Sequence, residues 1–382
     1  MTPDASSGAL HDPSPDRVAS SPPIRRIGQR LLVAFLVAFA WGLAASAVLD
    51  SFENHSSLGD HWPYSRFEPT IHFKTERPFI YRVLTPGLVW ALSSALPDRA
   101  AELLAGRAPE LRERYHLRRA TSTEYVVAHV LLFLALVGTL AYWRASLLRH
   151  GGTGPLFASF APPLALLFYP VTFTQGGFLY DLPELFFASA ALHYFLGRRW
   201  VAFCSAFALA VLNKESSILL LVWFLAAFWI DRDRGGLLRR GGAALVAGGL
   251  PFVVVHRIFA DRPGQEAYNS FSDNLEFFTS PARWLQLRDL YAPALPGPAG
   301  PHLLLLAAIA AVLASASGAT ERLLRLIFAS TALVIFPLYV VYGWRGEIRV
   351  FAGAFPALIL LACLVVRRLG SESAAAESVA LS

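Results

Sequence analysis

Lysine is nearly missing from this chain: Lys74 and Lys214 stand alone against many arginines, the usage expected of a GC-rich bacterial genome. Cysteine is as sparse. Cys204 and Cys363 both fall inside apolar runs, which excludes a disulfide framework and gives no cysteine metal site. Charge is low, 16% of residues, too little to coat a water-soluble globule of this size. No P-loop, Rossmann glycine fingerprint or Gly-x-Ser-x-Gly elbow occurs, so nucleotide-driven work and elbow-type hydrolysis have no motif to rest on. No internal repeat is evident. The net charge of +6 calls for no nucleic-acid partner, because the arginines sit in short runs beside hydrophobic stretches.

What is abundant is hydrophobic sequence: 55% of residues, a mean hydropathy of +0.47, and apolar blocks of the length a helix needs to cross a bilayer. The fold class expected is all-α, a polytopic transmembrane helix bundle. Residues 1–24, rich in Pro, Ser and Asp, read as a disordered cytoplasmic tail, and 369–382 as a second one. Arg25, Arg26 and Arg30 precede the apolar run Leu31 to Leu49, an uncleaved first span with its N-terminal side in the cytoplasm. Further spans are expected near 125–143, 155–173, 181–197, 200–213, 216–230, 242–260, 302–317, 325–342 and 350–366, about ten in all. This places Arg144, Arg149, Arg198, Arg199, Arg232 to Arg240, Arg322, Arg325, Arg367 and Arg368 inside, as the positive-inside rule requires, with both termini cytoplasmic. The membrane is then a bacterial inner membrane, the transmembrane domain spans 25–368, and 50–124 and 261–301 are its long extracytoplasmic loops.

Within the first loop, RPFIYRVLTPGL (Arg77 to Leu88) repeats Ile80, Leu84, Leu88 and Leu92 every four residues. That is the stripe of a helix lying on an apolar surface, with Pro86 interrupting it and leaving the Arg82 carbonyl without its donor. Residues 100–118 read as a second interfacial helix.

The unusual polar residues take one side of this topology. Asp50, Asp60, Tyr81 and Arg82 are extracytoplasmic, and so are Tyr180 and Asp181, Lys214 and Glu215, and Arg345, Glu347 and Arg349. A shared cavity opening outward is the economical reading. The run Trp200 to Leu212 is too short to cross about 30 Å at about 1.5 Å per residue, so Lys214 and Glu215 are expected below the membrane surface, where ionised groups are paired or functional. An arginine at 349 projecting into the bundle suits a phosphate, which it can grip by a forked pair of hydrogen bonds. Asp181, followed by Pro183 and Glu184, is also good helix-start chemistry. His55, His61 and His72, with Asp60 beside His61, leave room for a divalent cation, but the spacing is not that of a strong metal site and no metal ligand is assigned.

The set RPFIYRVLTP, YDLPELF, LNKESS and GEIRVF, after an N-in first span and an acidic outer loop, resembles the GT-C glycosyltransferases, with RPFIYRVLTP in the place of their Pro-Pro-Leu-Tyr type segment. It is also similar to a group of bacterial multipass proteins of that superfamily. The resemblance implies sugar transfer from a polyprenyl-phosphate donor. It gives Asp50, then Asp60, the role of catalytic acid, and gives Arg82, Lys214 and Arg349 that of holding the lipid-linked phosphate. The Asp-Glu or Asp-x-Asp pair of several such families is replaced here by Asp50-Ser51 and Asp60-His61. A transporter or flippase for a lipid-linked or anionic solute, and a lipid-pyrophosphate-dependent polymerase or ligase, are the alternatives. The membrane lipid is the one further partner expected.

Overall fold

A computed structural model describes residues 23–56, 58, 65–114, 122–174, 176–231, 233–291, 295–298, 302–344 and 347–380. The expected N-terminal tail, Asp60 and Arg345 lie outside the described residues. The chain divides into two units, 1–39 and 40–382. The first contributes the beginning of α1 (Pro23–Ser56), whose Leu31, Leu32, Phe35 and Phe39 are exposed.

Among the described residues the second unit is mainly helical, with one two-stranded hairpin. After α1 come the short α2 (Phe67–Ile71), α3 (Leu84–Ser94) and α4 (Asp98–Arg114). The bundle follows as α5 (Thr123–His150), α6 (Pro155–Leu166), α7 (Asp181–Leu196), α8 (Trp200–Asn213), α9 (Val222–Ile230) and α10 (Arg234–Ile258). It ends with α11 (Phe271–Thr279), α12 (Leu303–Ser315), α13 (Ala319–Tyr342) and α14 (Phe355–Ala380). Between α11 and α12, β1 (Leu287–Tyr291) pairs antiparallel with β2 (Leu295–Pro298).

Among the described residues, five helical segments are long and apolar enough to cross a membrane: Gln29–Ser56, Thr123–His150, Pro155–Thr172, Arg234–Ile258 and Ala319–Tyr342. Trp200–Asn213, Glu215–Ile230 and Leu303–Ser315 are apolar but shorter. Large side chains such as Leu134, Leu164, Leu225, Trp229, Val246, Leu250 and Leu333 stand exposed on the bundle, the surface of a helical membrane protein.

The centre is α7, buried on nearly every side and packed by α5, α8 and α14. Small residues let helices approach. A Cβ on Gly138 of α5 would lie 2.5 Å from the Phe186 ring of α7, and one on Gly248 of α10 would lie 2.3 Å from Phe207 of α8.

Two sequence expectations change. Pro86 does not interrupt a helix: Phe79–Tyr81 is a single 3₁₀ turn, the backbone turns at Arg82, and Pro86 sits in the first turn of α3, where no intrahelical partner awaits its missing N–H. The four-residue stripe therefore splits, with Ile80 buried and Leu88 and Leu92 exposed beside Trp90. The C-terminal segment is helix through Ala380, since its Ala- and Glu-rich SESAAAESVA propagates α14. The described part of the 261–301 loop carries α11 and the hairpin and is tied down by Arg288 Nη1 to the Thr174 carbonyl (3.1 Å) and Tyr291 Oη to the Leu167 carbonyl (2.7 Å).

The connections between helices fall into two linked sets. In one, Arg367 donates to the Gly152 carbonyl (2.5 Å), Thr320 to the His150 carbonyl (3.2 Å), and Arg198 pairs with Asp231 (2.6 Å). The other set, at the opposite ends of the same helices, holds the site.

Candidate functional site

Lys214 is the one extended residue between two helices too short to cross a bilayer alone: α8 ends at Asn213, Lys214 has φ −157° and ψ 123°, and a 3₁₀ turn begins at Glu215. Such a break survives within a membrane only where its polar groups find partners inside the protein. Here Ser217 N–H donates to the Lys214 carbonyl (2.9 Å). The buried Asn213 amide donates to the Tyr180 carbonyl (2.9 Å), while its oxygen accepts from Thr85 (2.5 Å). Val83 N–H reaches the Leu212 carbonyl (3.0 Å), so the turn at Arg82 and the break at Lys214 are hydrogen-bonded to each other.

Around this break four chain segments supply an ion network. Lys214 Nζ donates to Asp181 Oδ1 (3.1 Å) and Glu184 Oε2 (2.6 Å). Asp181 Oδ2 accepts from Arg349 Nη1 (3.2 Å) and from the Phe178 backbone N–H (2.8 Å). Arg349 also binds Glu347, whose other oxygen accepts from Trp344 N–H (3.1 Å). Arg82 forks onto Glu215, Nε to Oε2 at 3.0 Å and Nη2 to Oε1 at 2.9 Å, and donates to the Tyr180 hydroxyl. Both guanidiniums lie over aromatic rings, Arg82 4.3 Å from the Tyr180 centroid and Arg349 4.2 Å from that of Phe178. Burial alone would lower the Arg82 pKa, but the Glu215 carboxylate more than offsets this and holds it above its ordinary value.

The network borders a cavity of about 510 Å³. Arg82, Lys214 and Arg349 line it, with Glu215, Glu266, Asp273 and Glu347 as its carboxylates. Phe79, Phe178, Tyr268 and Trp344 supply aromatic wall, and Leu219, Ile335, Leu338 and Tyr342 an apolar one. Each cation keeps donors in hand. A guanidinium has five N–H groups and an ammonium three. Arg82 and Arg349 each use three on the partners above and Lys214 two, so among the described residues five N–H groups of these cavity-lining cations have no partner.

Of the residues singled out in the sequence, Arg82, Tyr180, Asp181, Lys214, Glu215, Glu347 and Arg349 come together here. Tyr81 stands one step away, its hydroxyl on Glu266 (2.9 Å), which also pairs with Arg77 (2.7 Å). Burial and that carboxylate push the Tyr81 phenol up. Asp181 is the first residue of α7 rather than its N-cap, and its carboxylate serves Lys214 and Arg349 as well as the turn before it.

Asp50 does not join them. It lies exposed on α1, accepts from Asn54 (3.3 Å) and does not line the cavity, because the face of α1 that packs inward carries Ala45, Val48 and Phe52, and Asp50 points about 200° away from Val48 and Phe52. No group of three or more potential metal ligands gathers among the described residues, and of the set considered for a divalent cation (His55, His61 and His72 with Asp60) His61 and Asp60 lie outside them. His55 instead lies 2.9 Å from the Asp289 carbonyl of β1.

Three side chains of the candidate site escaped sequence reasoning. Glu184 lies one helical turn after Asp181, so both face Lys214, a spacing legible in YDLPELF. Glu266 and Asp273 come from the long loop, whose polar sequence gives no periodic signal. Comparison with known proteins gives no relative to lean on: no family model matches the chain, and neither a curated protein nor a solved structure is significantly similar to it.

Proposed function

We propose that the chain is an integral-membrane glycosyltransferase of about ten spans, with both termini cytoplasmic. It takes a sugar from a polyprenyl-phosphate donor and hands it to an acceptor hydroxyl on the extracytoplasmic side of a bacterial inner membrane. One observation carries this reading. Residues as distant in sequence as Arg82, Lys214 and Arg349 line a single cavity together with the apolar side chains of Ile335, Leu338 and Tyr342 of α13 and of Leu219. Cations beside an apolar wall suit a ligand that is a phosphate at one end and an isoprenoid at the other.

The chemistry follows from the same side chains. As the bond between the anomeric carbon and the phosphate oxygen breaks, negative charge grows on the departing phosphate. Fixed N–H donors in a site poor in water stabilise that charge more than they stabilise the ground state. The carboxylates that hold these cations keep them in one geometry, so they need not reorganise during the reaction. The ten-span topology is supported by the segregation of connections: the arginine-bearing set is linked at one end of the helices and the cavity set at the other.

The test is turnover by purified protein in lipid nanodiscs, supplied with polyprenyl-phosphate glucose, mannose, galactose or arabinose and a panel of alkyl glycosides as acceptors. Release of polyprenyl phosphate by the wild type, lost in Arg82→Gln while that variant stays folded, is the expected result. No release from any donor, or passage of intact donor across vesicles without release, overturns the reading and in the second case identifies a carrier.

A further inference from the structure

Resting on the glycosyltransferase reading, we infer that Asp273 is the carboxylate that takes the proton from the acceptor hydroxyl. With Asp50 outside the cavity and Asp60 outside the described residues, the base is sought among the described carboxylates that line it: Glu215, Glu266, Asp273 and Glu347. Three of them are already engaged. Glu215 is forked by Arg82, Glu347 accepts from Arg349 and Trp344, and Glu266 accepts from Arg77 and from Tyr81. A carboxylate whose lone pairs are held by a guanidinium is a weak base, since the bonds that hold its charged form are lost on protonation. Asp273 has no hydrogen bond or ion pair among the described residues, and it is half-buried rather than fully solvated.

Its position is nevertheless fixed. Asp273 lies in the first turn of α11, and its neighbour Asn274 is fully buried, with its amide donating to the carbonyls of Tyr339 (3.1 Å), Val340 (3.0 Å) and Gly343 (2.8 Å) at the end of α13. Ser270 N–H donates to the Val341 carbonyl (2.8 Å) on the same tip. The backbone on both sides of Asp273 is therefore pinned to the helix that forms the apolar wall. The carboxylate also stands outside the network that joins Arg82, Lys214 and Arg349. A direct displacement needs a base that is not itself bound to the phosphate-holding cations, since nucleophile and leaving group occupy opposite sides of the anomeric carbon, and no ion pair joins Asp273 to them among the described residues.

The step balances. The acceptor O–H proton passes to an Asp273 carboxylate oxygen and the hydroxyl oxygen forms its bond to the anomeric carbon. The bond from that carbon to the phosphate oxygen breaks, its electron pair leaving on the polyprenyl phosphate beside the three cations. The competing account is that an acidic residue in the first turn of α11 only stabilises the start of that helix.

Asp273→Asn and Asp273→Glu, in the full chain in nanodiscs, separate the two. Two readouts are needed: transfer from the donor panel above, and binding of undecaprenyl phosphate followed by native mass spectrometry. The expected result is a loss of transfer in Asp273→Asn on the order of 10²- to 10⁴-fold, the scale of a general base, with lipid-phosphate binding unchanged and part of the rate kept in Asp273→Glu. Wild-type transfer in Asp273→Asn overturns the assignment and leaves the enzyme reading standing. Parallel loss of binding and transfer in both variants makes Asp273 a structural residue and also overturns it. A wild type that releases no polyprenyl phosphate overturns the assignment together with the reading beneath it.

Discussion

The decisive residue is Lys214, because two buried carboxylates depend on it. Lysine carries a compact charge with three donors, and Asp181 and Glu184 take two of them. Lys214→Met removes the charge and leaves both acids buried without it, a change that costs about 3–5 kcal/mol when one partner of a buried pair is lost. Thermal unfolding in detergent should show that loss as a large fall in Tm. Lys214→Met, Glu184→Gln is expected to recover much of it, since only Asp181 then stays ionised and Arg349 still pairs with it. A second buried group makes a contrasting case. Glu53 on α1 accepts from the Tyr125 hydroxyl and faces His129 Nε2 at 2.8 Å, both on α5. His129 Nδ1 lies 2.9 Å from the Tyr125 carbonyl, so both ring nitrogens have partners. None of the three lines the cavity. His129→Ala should therefore lower Tm while leaving undecaprenyl-phosphate binding at the wild-type level, and weakened binding would tie α1 to the site.

Among the elements, α13 and the pair α8 and α10 show how helix chemistry makes the site and where sequence reasoning loses sight of it. Gly248 exists for Phe207: a side chain there would meet a ring that is itself fully buried and has nowhere to go. Gly248→Leu should cost about 1–3 kcal/mol, the range for overpacking a filled core, and lower Tm accordingly. Leu338 of α13 is 42% exposed yet lines the cavity, so it marks where an isoprenoid tail would leave the site for lipid. Leu338→Asp is expected to weaken undecaprenyl-phosphate binding without unfolding the protein, and unchanged binding would move the tail to another wall. The apolar runs were legible because hydropathy reports them directly, and so was the gathering of Tyr180, Asp181, Lys214 and Arg349, because a charge interrupting an apolar run stands out. Pro86 misled because a proline in a helix's first turn and one in its interior look the same until the start of the helix is known. Asp50 misled because an acid after the first span sits in the right stretch of chain, while one hundred degrees per residue decides its face. Asp273 was invisible, since its meaning lies in a hairpin-bearing loop folding onto the end of α13, a contact that no local pattern encodes.

At the scale of the whole molecule the matter is which end of the bundle faces out. The arginine-bearing connections meet at one end, with Arg367 on Gly152 and Arg198 on Asp231, while the cavity occupies the other. On the topology proposed above, retention of positive loops in the cytoplasm would turn the cavity outward. The two native cysteines make this directly measurable, because Cys204 and Cys363 fall within apolar helices and the chain has no others. With both replaced by alanine, single cysteines at the exposed positions Glu102, Arg234 and Glu372 each report one connection or end. A membrane-impermeant maleimide applied to intact spheroplasts should label Glu102→Cys, and should reach Arg234→Cys and Glu372→Cys only after lysis. The reverse pattern would turn the cavity toward the cytoplasm, where nucleotide sugars rather than lipid-linked ones are the common donors, and the lipid-phosphate reading would lose its compartment. Labelling of Arg234 and Glu372 from opposite sides would be a different failure. The number of crossings between them would then be odd, although α10, α12, α13 and α14 are four helices and give an even one. The shortest of the four, α12, with thirteen residues and no buried side chain, would be the helix that does not cross.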